Sequence, residues 1–201
     1  MKRALILLAI SLFVIQMHAQ DITVLNSIKA TNTAIGSMES GIRKTLIKEG
    51  KTLVTDGTFH YVSPDNLAAL FDNGTYMIIS EGRMNIDIGL FHGKFKLSRN
   101  KTMRSLSTIF LYGFQGRCQE LADENDYTLA TEKEGDCHKI TLTNPKRNFW
   151  GIGYRQIVLK YATSDLLLNE IILYDFKGNV DTYTLSNQNC NASVDMNKFK
   201  H

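Results

Sequence analysis

Asp56 to Phe71 reads DGTFHYVSPDNLAALF, two short apolar-rich runs broken at Ser63-Pro64-Asp65-Asn66. Phe59 and Tyr61 alternate with Thr58, His60 and Val62, the period-two pattern of a strand that turns one face inward. Pro64 removes a backbone donor, so the ladder pauses there. From Leu67 the chain resumes as an apolar strand and turns at Asp72-Asn73-Gly74, a hairpin signal, into Tyr76-Met77-Ile78-Ile79. A wide apolar sheet begins in this stretch, and the rest of the chain has to be fitted to it.

Upstream, Met38 to Tyr61 reads as two strands joined by the polar turn Lys48-Glu49-Gly50-Lys51, with Ile42, Leu46, Phe59 and Tyr61 as apolar anchors. Gly50-Lys51-Thr52 lacks the glycine five residues earlier that a phosphate loop needs, since that position is Thr45. Before it, Asp21 to Ala34 places Ile22, Leu25, Ile28 and Lys29 at helical spacing with Asp21 as the cap. Downstream, Met84, Ile86 and Ile88 alternate with Asn85 and Asp87 in a further strand entered through Glu81-Gly82-Arg83.

Lys94, Lys96, Arg99 and Lys101 then form a basic, irregular segment that reads either as a solvated loop or as a contact for anionic headgroups. Thr102 to Phe114 changes period. Met103, Leu106, Phe110 and Phe114, with Ile109 and Leu111 beside them, make a broad apolar helical face that Gly113 and Gly116 end.

The second half is expected to be strand after strand: Tyr127–Thr131, His138–Thr143, Tyr154–Tyr161, Leu166–Asp175 and Val180–Ser186. Turn signals at Glu134-Gly135-Asp136, Asn144-Pro145, Thr163-Ser164-Asp165 and Lys177-Gly178-Asn179 separate them. Hairpin-linked strands in this number make an antiparallel sheet large enough to curl. The helices are too few for both faces, so they are expected to cover the concave one. The fold class is α+β.

Residues 1–19 read as an export signal: Lys2 and Arg3 precede an apolar run from Ala4 to Ile15, and Ala19 marks a cleavage site before Gln20. That run is shorter than the roughly 20 residues that span a bilayer. Residues 20–201 are expected to form a single soluble, exported domain. Without Lys2 and Arg3 the chain carries 21 basic against 20 acidic side chains, which excludes the basic stripe a nucleic-acid partner requires. Cys118, Cys137 and Cys190 show no metal-ligand spacing. In an oxidising compartment Cys118 and Cys137 are candidates for a bridge, and the alternative is three small buried apolar side chains.

Chemistry is scarce. His60, His92 and His138 lack HxxxH or HExxH spacing, there is no Gly-x-Ser-x-Gly elbow, and no cysteine sits in a nucleophile context. The chain reads as a container, with no catalytic activity, metal or cofactor expected.

Gly57-Thr58-Phe59-His60-Tyr61-Val62-Ser63-Pro64-Asp65-Asn66-Leu67, following an amphipathic first helix, resembles the G-x-F-x-Y-x-x-P-x-x-L signature of the LolA superfamily of periplasmic lipoprotein carriers. Asn191, Asp195 and Phe199, after a strand carrying Tyr183, resemble that family's closing segment. The resemblance implies a strongly curved, unclosed antiparallel half-barrel with helices as a lid over an apolar cavity. It also implies a periplasmic monomer whose cargo is an acylated lipoprotein or another lipid, working with an inner-membrane extruder and an outer-membrane acceptor, the alternative being a lipid-sensing or interaction domain of the same fold. Phe59, Tyr61, Leu70, Phe71, Ile78, Ile86 and Ile88 are expected as cavity wall, and Met103, Leu106, Ile109 and Phe110 as lid. Two positions depart from the family pattern. The arginine that locks the lid before the signature proline is Ser63, too short for that gap, and the large aromatic two residues after the signature leucine is Ala69. Both imply a different latch or a different cargo.

Overall fold

The computed structural model describes residues 22–88, 91–146 and 153–200. The expected export signal at 1–19 and the expected cap Asp21 lie outside the described residues. Helix α1 (residues 22–33) leads into β1 (Ser37–Lys48), β2 (Lys51–Val62), β3 (Asn66–Phe71), β4 (Tyr76–Ser80), β5 (Arg83–Ile88) and β6 (Phe91–Lys96). Helices α2 (Lys101–Phe114) and α3 (Cys118–Asn125) follow. The chain then forms β7 (Thr128–Glu134), β8 (Cys137–Thr143), β9 (Tyr154–Ala162), β10 (Leu168–Asp175) and β11 (Val180–Cys190), and ends in a 3-10 turn at Met196–Phe199.

The eleven strands form one antiparallel sheet in the order β6-β5-β4-β3-β2-β1-β11-β10-β9-β8-β7. Each half is a meander, because short turns can join only antiparallel neighbours. The first and last strands meet in the middle, and β6 and β7 remain as separate edges, so the sheet does not close. This topology dictates where the two middle helices go. The link from β6 to β7 connects one outer edge to the other, so α2 and α3 have to cross a face of the sheet. Register shifts at Glu39/Gly41, Leu168/Glu170 and Tyr174/Asp175 add bend to the ordinary twist.

Alternation sorts the side chains. Phe59 and Tyr61 of β2, Leu67, Ala69 and Phe71 of β3, Met77 and Ile79 of β4 and Met84, Ile86 and Ile88 of β5 join the main core on the concave face. From the other half Ile140, Leu142, Ile157, Leu159, Tyr161, Ile171, Leu173 and Tyr183 join the same core. A second, small core lies on the convex face, where Phe199 packs with Ala68 and Ile78, and Leu70 and Tyr76 border it. The chain end is fixed there by the residues of the closing pattern. Asn191 takes a left-handed φ of 58° and its Oδ1 accepts the Gly36 N–H, while Asp195 caps the final turn through the Asn197 N–H.

Three sequence expectations are corrected, and one helix appears that the sequence reading did not assign. The Lys94–Lys101 segment is irregular only at residues 97–100: Phe91–Lys96 is a strand paired to β5, with Phe91 and Phe95 against the core, and Lys101 opens α2 behind the Asn100 cap. Lys94 and Lys96 on either side of Phe95 mask the alternation, and they protect an edge strand from unwanted pairing. Gly113 does not end α2. It lies inside the last turn, where a Cβ would stand 3.2 Å from Leu159 Cδ2, and Gly116, at φ +69°, makes the break. The segment from Cys118 is helix α3, with Cys118, Leu121 and Ala122 buried at i, i+3 and i+4. The three cysteines are free, and burial pushes the Cys118 thiol up to about 12.

Candidate functional site

Helix α2 lies across the concave face because its apolar stripe has nowhere else to go. Met103, Leu106, Ile109, Phe110 and Phe114 are all buried in the main core, each contributing about 1.5–3 kcal/mol of apolar burial. Phe114 packs its ring 4.3 Å from Tyr61 and 5.3 Å from Phe59, and Phe110 meets Tyr183 edge-on at 5.0 Å. Between these rings and the sheet the residual cavity is about 10 Å³, lined by Ile42, Phe59, Phe110, Phe114, Ile171 and Tyr183 among others. That is about the volume of one water. The lid side chains fill the half-barrel.

The four residues expected as lid thus come together on one helix over the sheet. Of the expected wall, Phe59, Tyr61, Phe71, Ile86 and Ile88 lie on the concave face. Leu70 and Ile78 do not: they belong to the convex cluster under Phe199, one residue out of phase with Ala69 and Met77. The sequence reading also missed the wall's other half, Leu168, Ile171, Tyr183 and Leu185. The alternation of Ile157, Leu159 and Tyr161, matched across strands by Ile140 and Leu142, was the signal that could have found it.

Helix α2 is pinned at one corner. Ser63, at the expected latch position, is exposed, and its backbone N–H donates to Gly36 O. The contact runs from the opposite side: Gln115, just past α2, donates from Nε2 to Pro64 O at 2.5 Å and to the Tyr61 hydroxyl at 3.2 Å. The Tyr161 hydroxyl donates to Gly113 O, and Cys118 Sγ lies 3.3 Å from that hydroxyl. On the far side Glu120 of α3 pairs with Lys29 of α1 and with Arg117, and the Arg117 guanidinium stacks 3.8 Å over Tyr112. Asn32 ties α1 to the β9–β10 turn by donating to Leu166 O at 2.7 Å. The polar ties therefore collect at the α2–α3 junction. Gln115→Leu keeps the size but removes both donors, and a stability loss of about 1–3 kcal/mol is expected. Stronger fluorescence of an apolar dye should accompany it, whereas an unchanged urea midpoint with unchanged dye binding would remove Gln115 from the clasp.

Charge reaches the concave face where β1 meets β11. Lys44 shares the inward face of β1 with Ile42, stands opposite Tyr183 in the register, and holds Nζ 5.7 Å from the centre of that ring. Its side chain is 13% exposed, and its carboxylate partner is Asp181, 3.4 Å away. Burial pulls the ammonium's pKa down and Asp181 opposes the shift, while burial and Asp181 hold the Tyr183 hydroxyl well above the ordinary tyrosine range. Among the described residues no group of His, Cys, Asp and Glu side chains could hold a metal ion, and no helix is long and apolar enough to cross a membrane.

No protein-family profile matches the chain, and no curated protein matches it. Solved structures do resemble it. MucB has 13% identity over 91% of this chain at a TM-score of 0.52, and this chain spans 63% of it. An uncharacterized conserved protein from Thermus thermophilus has 9% identity at a TM-score of 0.51, over 90% of this chain and 93% of that one. A LolA superfamily protein from Nitrosomonas europaea is also similar, with 12% identity over 87% of this chain and 97% of that one, at a TM-score of 0.39. In fold the chain is similar to MucB and to the Thermus thermophilus protein: one antiparallel sheet that does not close, with its helices on the concave face.

Proposed function

We propose that this protein is a carrier that takes acyl chains into the space now filled by α2, and that its cargo is an acylated lipoprotein on its way to the outer membrane. The single observation that carries this reading is an apolar half-barrel plugged by a helix that topology makes a separate, crossing element. A bound chain gains about 0.8 kcal/mol per buried CH₂, so a rigid open cavity would hold several chains too tightly to release them. An empty one would expose a large apolar patch. A plug made of the protein's own side chains avoids both problems, because displacing Phe110 and its neighbours subtracts from the affinity. In this reading α2 lifts from Met103 to Phe114, hinged at the Gln115 corner, which stays tied. Export by residues 1–19 follows from their basic start, apolar run and small residue at Ala19, and a single domain over 20–201 from its length, while a periplasmic place, a monomeric state, and an inner-membrane extruder and outer-membrane acceptor as partners follow from the resemblance to the LolA superfamily.

A second reading keeps the cavity and changes the cargo to another acylated lipid. The Lys44–Asp181 pair beside the cavity favours it, since it offers a charge that an acyl chain alone does not use. Native mass spectrometry of the mature protein, purified gently from the periplasm of its own host, tests both. An added mass matching a triacylated peptide is the expected result. A different lipid would transfer the assignment to the second reading, and a clean apo mass would count against carriage altogether.

A further inference from the structure

The apolar cavity has one polar end. Ile42 and Leu185, both in the cavity lining, are followed along their strands by Lys44 and preceded by Tyr183, and the Tyr183 ring separates Phe110 of the lid from the Lys44 ammonium. Lys44 is largely shielded from solvent, and its counter-charge is at 3.4 Å. That partner is poorly satisfied, for Asp181 Oδ1 is buried and accepts no well-directed hydrogen bond. A shielded ammonium so placed offers an anion a site that needs little further desolvation. We infer that Lys44 is the headgroup site of the cavity, pairing with the anionic head, a carboxylate or phosphate, of a single-chain or phospholipid cargo whose acyl chain replaces Phe110. Asp181 then acts as the internal competitor that occupies the ammonium while the cavity is empty. The inference rests on the second reading above, in which the cargo is another acylated lipid, and narrows that cargo to anionic lipids.

Calorimetric titration of the full mature protein with dodecanoate, dodecyl phosphate and dodecanol tests it, the chain being held constant and only the head changed. Wild type should bind the better anion about ten-fold or more tighter than dodecanol, and whichever anion is tighter identifies the head as carboxylate or phosphate. Lys44→Met keeps the stem and removes the charge, so it should abolish that preference while dodecanol affinity stays within about two-fold. Asp181→Asn removes the competitor and should tighten anion binding several-fold with dodecanol unchanged, which still decides the matter if Lys44→Met does not fold. Equal binding of all three ligands by wild type, or a preference that survives Lys44→Met, overturns the headgroup site and leaves the cavity reading standing. Failure of all three to bind overturns both.

Discussion

Phe114→Ala is expected to destabilise the protein by about 3–5 kcal/mol and, at the same time, to strengthen its binding of an acyl chain. The first effect follows from packing. Phe114 is 1% exposed, lies against both Tyr61 and Phe59, and sits where the lid meets the signature strand. Truncation leaves a void that a closely packed sheet cannot collapse into. The second effect follows from the lid mechanism. If the side chains of α2 plug the cavity, the energy needed to clear the plug is subtracted from cargo affinity, and removing one ring removes part of that cost. Urea denaturation reads the first quantity and dodecanol titration the second. A variant that loses stability and also binds more weakly would make Phe114 a wall residue and not a plug, and the helix as a whole would then have to be reassigned to an ordinary core.

Much of this architecture could be read from the chain because the relevant signals are local. The β2 alternation at Phe59 and Tyr61, the interruption at Pro64, the turn at Asp72-Asn73-Gly74 and the period change at Met103 each depend on neighbours a few residues apart. What failed was non-local. Leu70 and Ile78 look like wall because they are the large apolar residues of β3 and β4. They face outward because Phe199, from the far end of the chain, supplies a second core on the convex side. With both faces of β3 and β4 buried, period-two patterning disappears and phase cannot be read. The clasp failed for a related reason. The family pattern places the polar lock before the proline, where this chain has Ser63, and no feature of the sequence couples Gln115 to Pro64 O. Lys44 looked like one of several charges in a strand, and only the sheet register shows that it shares the inward face with Ile42 and Tyr183.

Gly57→Ala is expected to be the most damaging single-methyl change in the sheet, costing about 3 kcal/mol or more or preventing folding. A Cβ at this position would lie 2.2 Å from Leu70 O and 2.8 Å from Phe71 Cα, and both atoms are backbone. No rotamer change relieves such a clash, so β3 itself would have to move. It would have to do so at the last pair of its ladder with β2, Gly57 opposite Phe71, beside the bond from the Asp72 N–H to Asp56 O. Gly41 is the matched control. There the nearest atom to a new Cβ is Ser186 Oγ at 2.7 Å, the end of a side chain that can rotate away, so Gly41→Ala should cost about 1 kcal/mol or less. Urea midpoints of the two variants against wild type decide the point, and a Gly57→Ala loss no larger than that of Gly41→Ala would show that β3 yields easily. The reason for a glycine here is geometric. Beyond Gly57 strand β2 continues to Lys51 while the chain leaves β3 through Asp72 and Asn73 toward β4, so the two backbones part at this pair, and they approach too closely there for any side chain to fit between them.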